Sequence, residues 1–379
     1  MEKTFPEFKK NFGFGMMRLP MLNGKVDTEQ VKKMVDAFIE NGFNYFDTAH
    51  GYLDGLSELA VKECLSKRYE RSRFLLTDKL TSPYFKSQED IRPFFQKQLE
   101  ACGVDYFDIY LMHSQNAKEF ESFKKRRAYE TALELKAEGK IRHFGISFHD
   151  KADVLDQILN EYPQIEVVQI QFNYLDYEDP SIEGRKVYEV CRKHNKSMIV
   201  MEPVKGGSLV NLPSAAQKIL DDLREKSSVK YSNAGYALRF ASGFEGIEMT
   251  LSGMSNMEQM NDNIASMKDF SPLNKDEMQA VKDVTKVFSS LDMIPCTACR
   301  YCIEENHCPK DIVIPDLFAC LNKKNAFNDW NQDFYYNEVA TVNHGKAKDC
   351  IKCGKCEKVC PQHLEIRKLL DKVALTFDS

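Results

Sequence analysis

Nine of the twelve cysteines in this chain of 379 residues fall between Cys296 and Cys360. Cys296, Cys299 and Cys302 stand at every third position, and Cys308-Pro309 follows. Cys350, Cys353 and Cys356 repeat the spacing, with Cys360-Pro361 after them. Thiolates are soft ligands, suited to zinc or to iron–sulfur clusters. Zinc takes four ligands in two pairs, which would leave the third cysteine of each triplet redundant, twice over. Three thiolates at every third residue instead wrap three corners of an iron–sulfur cube and leave the fourth corner to a distant cysteine. Two [4Fe–4S] clusters are therefore expected, and with them the movement of single electrons. Cys320 is left over and reads as a buried thiol; Cys64, Cys102 and Cys191 lie scattered through the first 290 residues.

The second run, C-x2-C-x2-C-x3-C-P, resembles that of bacterial ferredoxins, in which two runs exchange their fourth ligands. On that resemblance Cys296, Cys299, Cys302 and Cys360 hold one cluster, and Cys350, Cys353, Cys356 and Cys308 hold the other. The first run departs from the pattern, with five residues rather than three before Cys308. A longer loop alters the fold locally and keeps the ligand. Lys346, Lys348, Lys352, Lys355 and Lys358 surround the second run. Their charge would offset that of the thiolates and raise the reduction potential. The same lysines suit an acidic partner such as a ferredoxin or flavodoxin, set against the plainer reading of solvated surface charge.

The rest of the chain supplies the elements that must position a second site. Asp27 and Gln30 form a capping box before Val31, Met34, Val35, Phe38 and Ile39, and Gly42 stops the helix. An apolar, aromatic strand over residues 43–47 follows directly. Helical patterns over 57–67 and 89–102 alternate with strands expected at 73–79 and 107–113. Further strands are expected at 142–147, 166–171, 197–202 and 247–252, with 12–19 ahead of the first helix. Eight strand–helix units in about 270 residues are the arithmetic of an α/β fold, a (β/α)8 TIM barrel. The competing doubly wound sheet wants a Gly-rich turn after the first strand, but Gly13-Phe14-Gly15 runs into Met16-Met17-Arg18. The expected division is a barrel over 1–290 and a ferredoxin-like iron–sulfur domain over 291–379, with a helix near 274–291 closing the barrel region. No structure is predicted for 321–348.

In such a barrel the chemistry lies at the C-terminal ends of the strands. Those ends carry Asp47, Lys79 and His113, with Tyr52 on the loop after Asp47. Singly each is unremarkable, since an Asp there can cap a helix and a lone His is more often structural. Together they are an acid, an amine, an imidazole and a phenol aimed at one mouth. Asp47-Thr48-Ala49-x-x-Tyr52, Leu76-Thr77-Asp78-Lys79 and Tyr110-Leu111-Met112-His113 resemble the tetrad of the aldo-keto reductases. Residues 139–147 and 251–256 extend the resemblance over most of 10–270. Met201-Glu202-Pro203 and Gly206-Gly207-x-Leu209 resemble the branch with a ferredoxin-like tail.

The resemblance implies catalysis by Tyr52, Lys79, Asp47 and His113, with NAD(P)H as hydride donor to a small carbonyl. The lysine, held by Asp47, is expected to lower the Tyr52 pKa, and His113 to polarise the carbonyl oxygen. It also implies that Ser147 and Gln169 hold the nicotinamide carboxamide and that Asn263 contacts the adenine end. Phe148 stands where the family usually has Asn, and Glu202-Pro203 where a nicotinamide-stacking Tyr is common. Gly253 and Gln259 stand where Lys and Arg usually clamp the 2′-phosphate, so preference for NADP over NAD is expected to be weak or absent.

The net charge of −5 argues against nucleic acid as a partner, and no run approaches the eighteen apolar residues of a membrane helix. Without an apolar leader, the expected location is the cytoplasm, where cysteines serve as metal ligands rather than disulfides. Hydride carriers move two electrons and clusters one, a mismatch that a flavin resolves; no flavin motif is evident, though a barrel mouth can bind one. Three readings result: a reductase exchanging electrons with a partner, a carbonyl reductase with purely structural clusters, and a non-catalytic redox-sensing binding module. The intact tetrad disfavours the last. Oligomeric state and substrate are not encoded in any motif.

Overall fold

The computed structural model describes residues 5, 7–180, 182–304, 308–327 and 331–378. Part of the long loop before Cys308 (305–307) and part of the unassigned stretch (328–330) lie outside the described residues. Among the described residues no helix is long and apolar enough to cross a membrane.

Eight parallel strands close into a barrel: β1 (Phe12–Gly15), β2 (Tyr45–Asp47), β3 (Leu75–Leu80), β4 (Phe107–Gln115), β5 (Ile141–Phe148), β6 (Val167–Gln171), β7 (Ser197–Met201) and β8 (Ile247–Gly253). Chain order runs once round the barrel, and β1 pairs with both β2 and β8. The first strand is shorter than its apolar run, because Met16–Arg18 leaves the sheet as a 3-10 turn. Helix α1 (Thr28–Glu40) buries Val31, Met34, Val35, Phe38 and Ile39. Asp27 caps it by accepting from the Gln30 N–H at 3.1 Å. The Gln30 side chain reaches the Asp27 carboxylate instead of its backbone N–H, which donates to the Pro20 carbonyl. The hairpin Met21–Leu22/Lys25–Val26 turns on Asn23-Gly24, both left-handed. That Asn-Gly pair is a strong hairpin signal, absent from the strand pattern inferred above.

Inside the barrel, Tyr45, Leu75, Ile109, Leu111, Val167, Ile199, Met249 and Leu251 pack with Phe5 and Phe8.

The chain parts into two compact units, 1–203 with 234–273 and 204–233 with 274–379, a division that does not follow chain order. The first contains all eight strands. In the second, helix Ser214–Lys226 packs along helix Lys275–Ser290, whose Asn274 cap accepts from the N–H groups of Asp276 and Glu277. Helices Ile314–Phe327 and Ile366–Phe377 enclose Leu317, Phe318, Leu321, Tyr336, Leu370 and Val373. The Tyr336 and Phe377 rings stack at 4.5 Å. The stretch 321–348, where no pattern was apparent, takes in the end of helix Ile314–Phe327 and, among its other described residues, short helical pieces such as Asn331–Tyr335 and Tyr336–Ala340, too brief to show a period.

Candidate active site and cluster centres

Register places the tetrad. Asp47, last residue of β2, pairs with Thr77 of β3, and Lys79 lies two residues on, on the same face of the pleat. Asp47 and Lys79 are buried, and the Lys79 ammonium donates to Asp47 Oδ1 at 2.6 Å, the Thr48 carbonyl at 2.8 Å and the Tyr52 hydroxyl oxygen at 3.1 Å. An ammonium has three protons, and these acceptors use all of them. Tyr52 therefore accepts, and its own proton has no acceptor among the described residues. The His113 ring lies 5.9 Å from the Tyr52 ring, nearly perpendicular. The structure thus brings the four residues singled out from the sequence into one cluster.

Electrostatics corrects one expectation. The Tyr52 pKa is not lowered overall: burial, then the charges of Asp47, Asp78 and Glu202, hold it well above 10 against the opposing effect of Arg18. The ammonium's field is offset by the Asp47 carboxylate beside it. Tyr52 is accordingly a proton-bearing phenol at neutral pH. His113 is pulled well below 6.5 by burial, then by Lys79 and His149, so its ring is neutral. Its Nδ1 lies 2.8 Å from Thr81 Oγ1. With Thr81 donating, the ring carries its proton on Nε2.

The residues expected to hold the nicotinamide occupy neighbouring strands, with Ser147 of β5 in register with Gln169 of β6. Gln169 Nε2 donates to Asp47 Oδ2 at 3.0 Å, so each Asp47 oxygen has its own donor. Ser147 Oγ accepts from the Ser114 N–H at 2.8 Å, leaving its hydroxyl proton available. Asn263 is held apart from the tetrad, on helix Met257–Met267, where its Nδ2 donates to Ser252 Oγ. Gln259 is engaged locally, accepting from the Ser255 N–H, and Gly253 lies under the aliphatic part of Arg18. Arg18 and Glu202 form an ion pair at 4.0 Å, and both are felt by Tyr52. Thr81 and this ion pair were not visible from the sequence, since neither forms a motif.

The cysteine segments repeat one backbone. In the first triplet Ala298 and Arg300 are left-handed, and in the second Lys352 and Gly354, at matching positions. Three residues after the fourth cysteine of each run, Asp311 and His363 are also left-handed, and their N–H groups return to the Cys308 and Cys360 carbonyls. Helices then begin six residues after each fourth cysteine, at Ile314 and Ile366. Left-handed conformation costs a non-glycine residue of order 1 kcal/mol, so its repetition marks a shape that is enforced. Cys308, Cys350, Cys353 and Cys356 line one cavity, walled by Ile312, Ile314 and Leu370. Burial, then the neighbouring Cys299, Cys296, Cys360 and Cys356, push the Cys302 thiol up. Among the described residues neither quartet draws three sulfurs within 4.8 Å of one another, as a single zinc at about 2.3 Å from each sulfur would require. The donors are soft, most of them partly buried, and spread wider than one ion needs, which suits a cube. Cys320 is buried, its thiol raised to about 11 by burial.

Comparison with known proteins gives the same two parts. The aldo/keto reductase family model matches residues 11–286, and the model of the 4Fe-4S dicluster domain matches residues 295–364. Among curated relatives, an NADH-specific methylglyoxal reductase of Escherichia coli is 30% identical over half of this chain and 61% of its own length, so the chain spans less than two thirds of it. An uncharacterised oxidoreductase of Bacillus subtilis is 23% identical over 72% of this chain and 92% of its own. Among solved structures, the holo form of an aldo-keto reductase of Bacillus halodurans superposes with a TM-score of 0.56 at 25% identity, covering 72% of this chain and 91% of its own. An aldo-keto reductase of Klebsiella pneumoniae in complex with NADPH gives 0.60 at 20% identity, covering 75% and 96%, a likeness of fold. With a dicluster [4Fe–4S] domain at its C-terminal end and its barrel matched almost throughout, this chain belongs to the aldo/keto reductase family.

Proposed function

We propose that the protein is a cytoplasmic, nicotinamide-dependent reductase of small carbonyl compounds whose two clusters exchange single electrons with a protein partner. The carrying observation is the Tyr52 proton: Lys79 holds the phenol oxygen, and the phenol proton has no acceptor among the described residues. A bound NAD(P)H supplies hydride to the carbonyl carbon. Tyr52 gives its proton to the carbonyl oxygen as the C–O bond becomes single, and the product is an alcohol. Lys79 then stabilises the phenolate until it is reprotonated, and Asp47, fixed by Gln169, keeps Lys79 in place. Neutral His113 donates from Nε2 to the same oxygen. Ser147 and Gln169 orient the carboxamide, and Asn263 takes the adenine end. The E. coli relative suggests a dicarbonyl such as methylglyoxal as probe substrate.

The cluster ligands are assigned as Cys296, Cys299, Cys302 and Cys360 for one, and Cys350, Cys353, Cys356 and Cys308 for the other. When bound, each cluster passes one electron. Exposed Cys353, with exposed Ile351 and Lys355 beside it, offers an edge for an acidic partner such as ferredoxin or flavodoxin. With Gly253 and Gln259 at the positions of the usual phosphate clamp, NADH and NADPH should bind comparably.

The deciding measurement is iron, sulfide and flavin analysis of anaerobically purified protein, followed by NADH- and NADPH-dependent turnover of methylglyoxal. Oxidation of two pre-reduced ferredoxins for each methylglyoxal reduced, with NAD(P)H present only in catalytic amount, supports the coupled reading. Turnover indifferent to loss of one cluster, as in Cys353→Ala, favours structural clusters. NADPH binding about a hundredfold tighter than NADH by calorimetry overturns the cofactor reading.

A further inference from the structure

Behind Lys79 lies a buried polar chain that the tetrad chemistry leaves unused. His50, two residues before Tyr52, places Nδ1 2.7 Å from Glu58 Oε2; the imidazole is 14% exposed and the Glu58 side chain 1%. Glu58 on α2 (Leu56–Val61), Asp78 on β3 and Cys102 on α3 (Ile91–Cys102) bring three ligand atoms within 4.8 Å of one another. Gln98 of α3 spans them: its Nε2 donates to Asp78 Oδ1 at 3.0 Å, the Lys79 carbonyl at 3.1 Å and Glu58 Oε1 at 3.2 Å. The Tyr110 hydroxyl fixes Gln98 by donating to its Oε1 at 2.6 Å. Asp78 Oδ1 also accepts from the Lys79 N–H at 2.8 Å, and the Cys102 thiol donates to Oδ2.

Among the described residues no cation enters this cluster. The Lys79 ammonium faces away, to Asp47, Thr48 and Tyr52, and Lys97 acts only at a distance. Two buried carboxyls this close cannot both ionise, so they hold a proton between them. Burial drives both upward, Glu58 to about 7 and Asp78 well above the carboxylate range with the Glu58 charge adding to it. His50 is lowered by burial and by Lys97, against the pull of Asp78. The Cys102 thiol, raised by burial and then by Asp78 and Glu58, is a donor here and not a metal ligand.

We propose that Glu58 and Asp78 form a proton-sharing pair that positions Lys79 and, through His50, exchanges a proton with solvent, so that the charge of the pair tunes Tyr52. Asp78 is among the charges that hold the Tyr52 proton, and Asp78 itself is coupled to Glu58. When the pair ionises near neutrality and keeps only the shared proton, its negative charge reaches Tyr52 through Asp78, so Tyr52 holds its own proton more tightly and becomes a weaker acid. Carbonyl reduction should therefore slow as pH rises through neutrality, although neither Tyr52 nor His113 titrates there.

The consequence for turnover rests on the reductase reading; the protonation does not, which allows separate tests. Infrared difference spectra of the cluster-loaded protein between about pH 6 and 8 should show loss of a protonated-carboxyl C=O band in the wild type and none in Glu58→Gln. In parallel, kcat for methylglyoxal should fall roughly three- to tenfold across that interval in the wild type and stay flat in Glu58→Gln. His50→Asn, which keeps the pair but cuts its link to solvent, should displace the inflection. A wild-type spectrum without the band change overturns the proposal whether or not any variant folds, as does an unaltered inflection in Glu58→Gln. The band change without any carbonyl turnover would keep the pair and sink the reductase reading instead.

Discussion

Lys79 and Tyr52 meet nitrogen to oxygen at 3.1 Å, and the lysine is the donor because its other two protons are committed to Asp47 and Thr48. The direction of that hydrogen bond makes the phenol an acid rather than a base. It also fixes the phenol without neutralising it.

Tyr52→Phe removes the proton and little packing. Steady-state reduction of methylglyoxal should drop about 10²- to 10⁴-fold in kcat/KM, while iron content and visible spectrum stay unchanged. Turnover within a few-fold of wild type would mean that another group supplies the proton.

Thr81 Oγ1 lies 2.8 Å from His113 Nδ1, and by donating there it keeps the ring proton on Nε2. Thr81→Val keeps the shape and removes the donor, freeing Nδ1 to carry the proton and leaving Nε2 an acceptor part of the time. A fall of about tenfold in kcat is expected, with nicotinamide affinity unchanged. A KM effect alone would show that Thr81 shapes the pocket and nothing more.

How much of this could be read from the chain depends on distance in sequence. The strands were legible because each is a short apolar run ended by a polar residue, and the tetrad because Asp47, Lys79 and His113 stand at those ends. The cysteines announce themselves by spacing. The Glu58–Asp78–Gln98 network was not legible, since its members sit on three elements and match no periodicity; only the fold makes them neighbours. Nor could the Tyr52 pKa be signed from the motif, because the sign depends on burial and on three carboxylates.

At the other end of the barrel, Glu166 is held by His143 at 3.0 Å and by Lys136, and His143 also reaches Glu7 at 2.7 Å. Burial opposes its charge, but these partners lower Glu166 to about 2, and the two carboxylates raise His143. A depressed carboxylate gives stability that is complete above its unfolded pKa and lost as pH falls from about 5 towards 2. The raised histidine contributes below about 6.5 and loses its share as pH rises through its folded value. Glu166→Gln should cost about 1–2 kcal/mol in urea unfolding near pH 6, allowing for solvent screening, and much less at pH 3. An equal cost at both would assign the effect to packing.

Gly206 has φ +62, and a Cβ there would lie 2.3 Å from the carbonyl oxygen of Thr297, the residue after Cys296. Gly24, at φ +75 in the hairpin, has nothing within 4 Å. Gly24→Ala should therefore cost only the left-handed backbone penalty, about 1 kcal/mol. Gly206→Ala must also displace the backbone beside a cluster ligand, and iron loss to a chelator should be severalfold faster than in Gly24→Ala. Equal rates would mean that the 204–207 loop does not hold the first triplet.

The exchange of fourth ligands is open to a double-variant test. Cys302 feels Cys299, Cys296, Cys360 and then Cys356 as neighbours, and Cys308 shares a cavity with Cys350, Cys353 and Cys356. If the runs cross, Cys302 and Cys360 serve one cluster, so Cys302→Ala/Cys360→Ala loses that cluster alone and retains about four of eight irons. Cys356→Ala/Cys360→Ala strikes both clusters and should retain almost none. If each run instead filled its own cluster, the outcomes would trade places: the second double variant would keep about four irons and the first would keep none. Iron and sulfide analysis of the two anaerobically purified proteins separates the arrangements, and single alanine variants at the same positions, each keeping about four irons, would confirm that losing one cluster does not unseat the other.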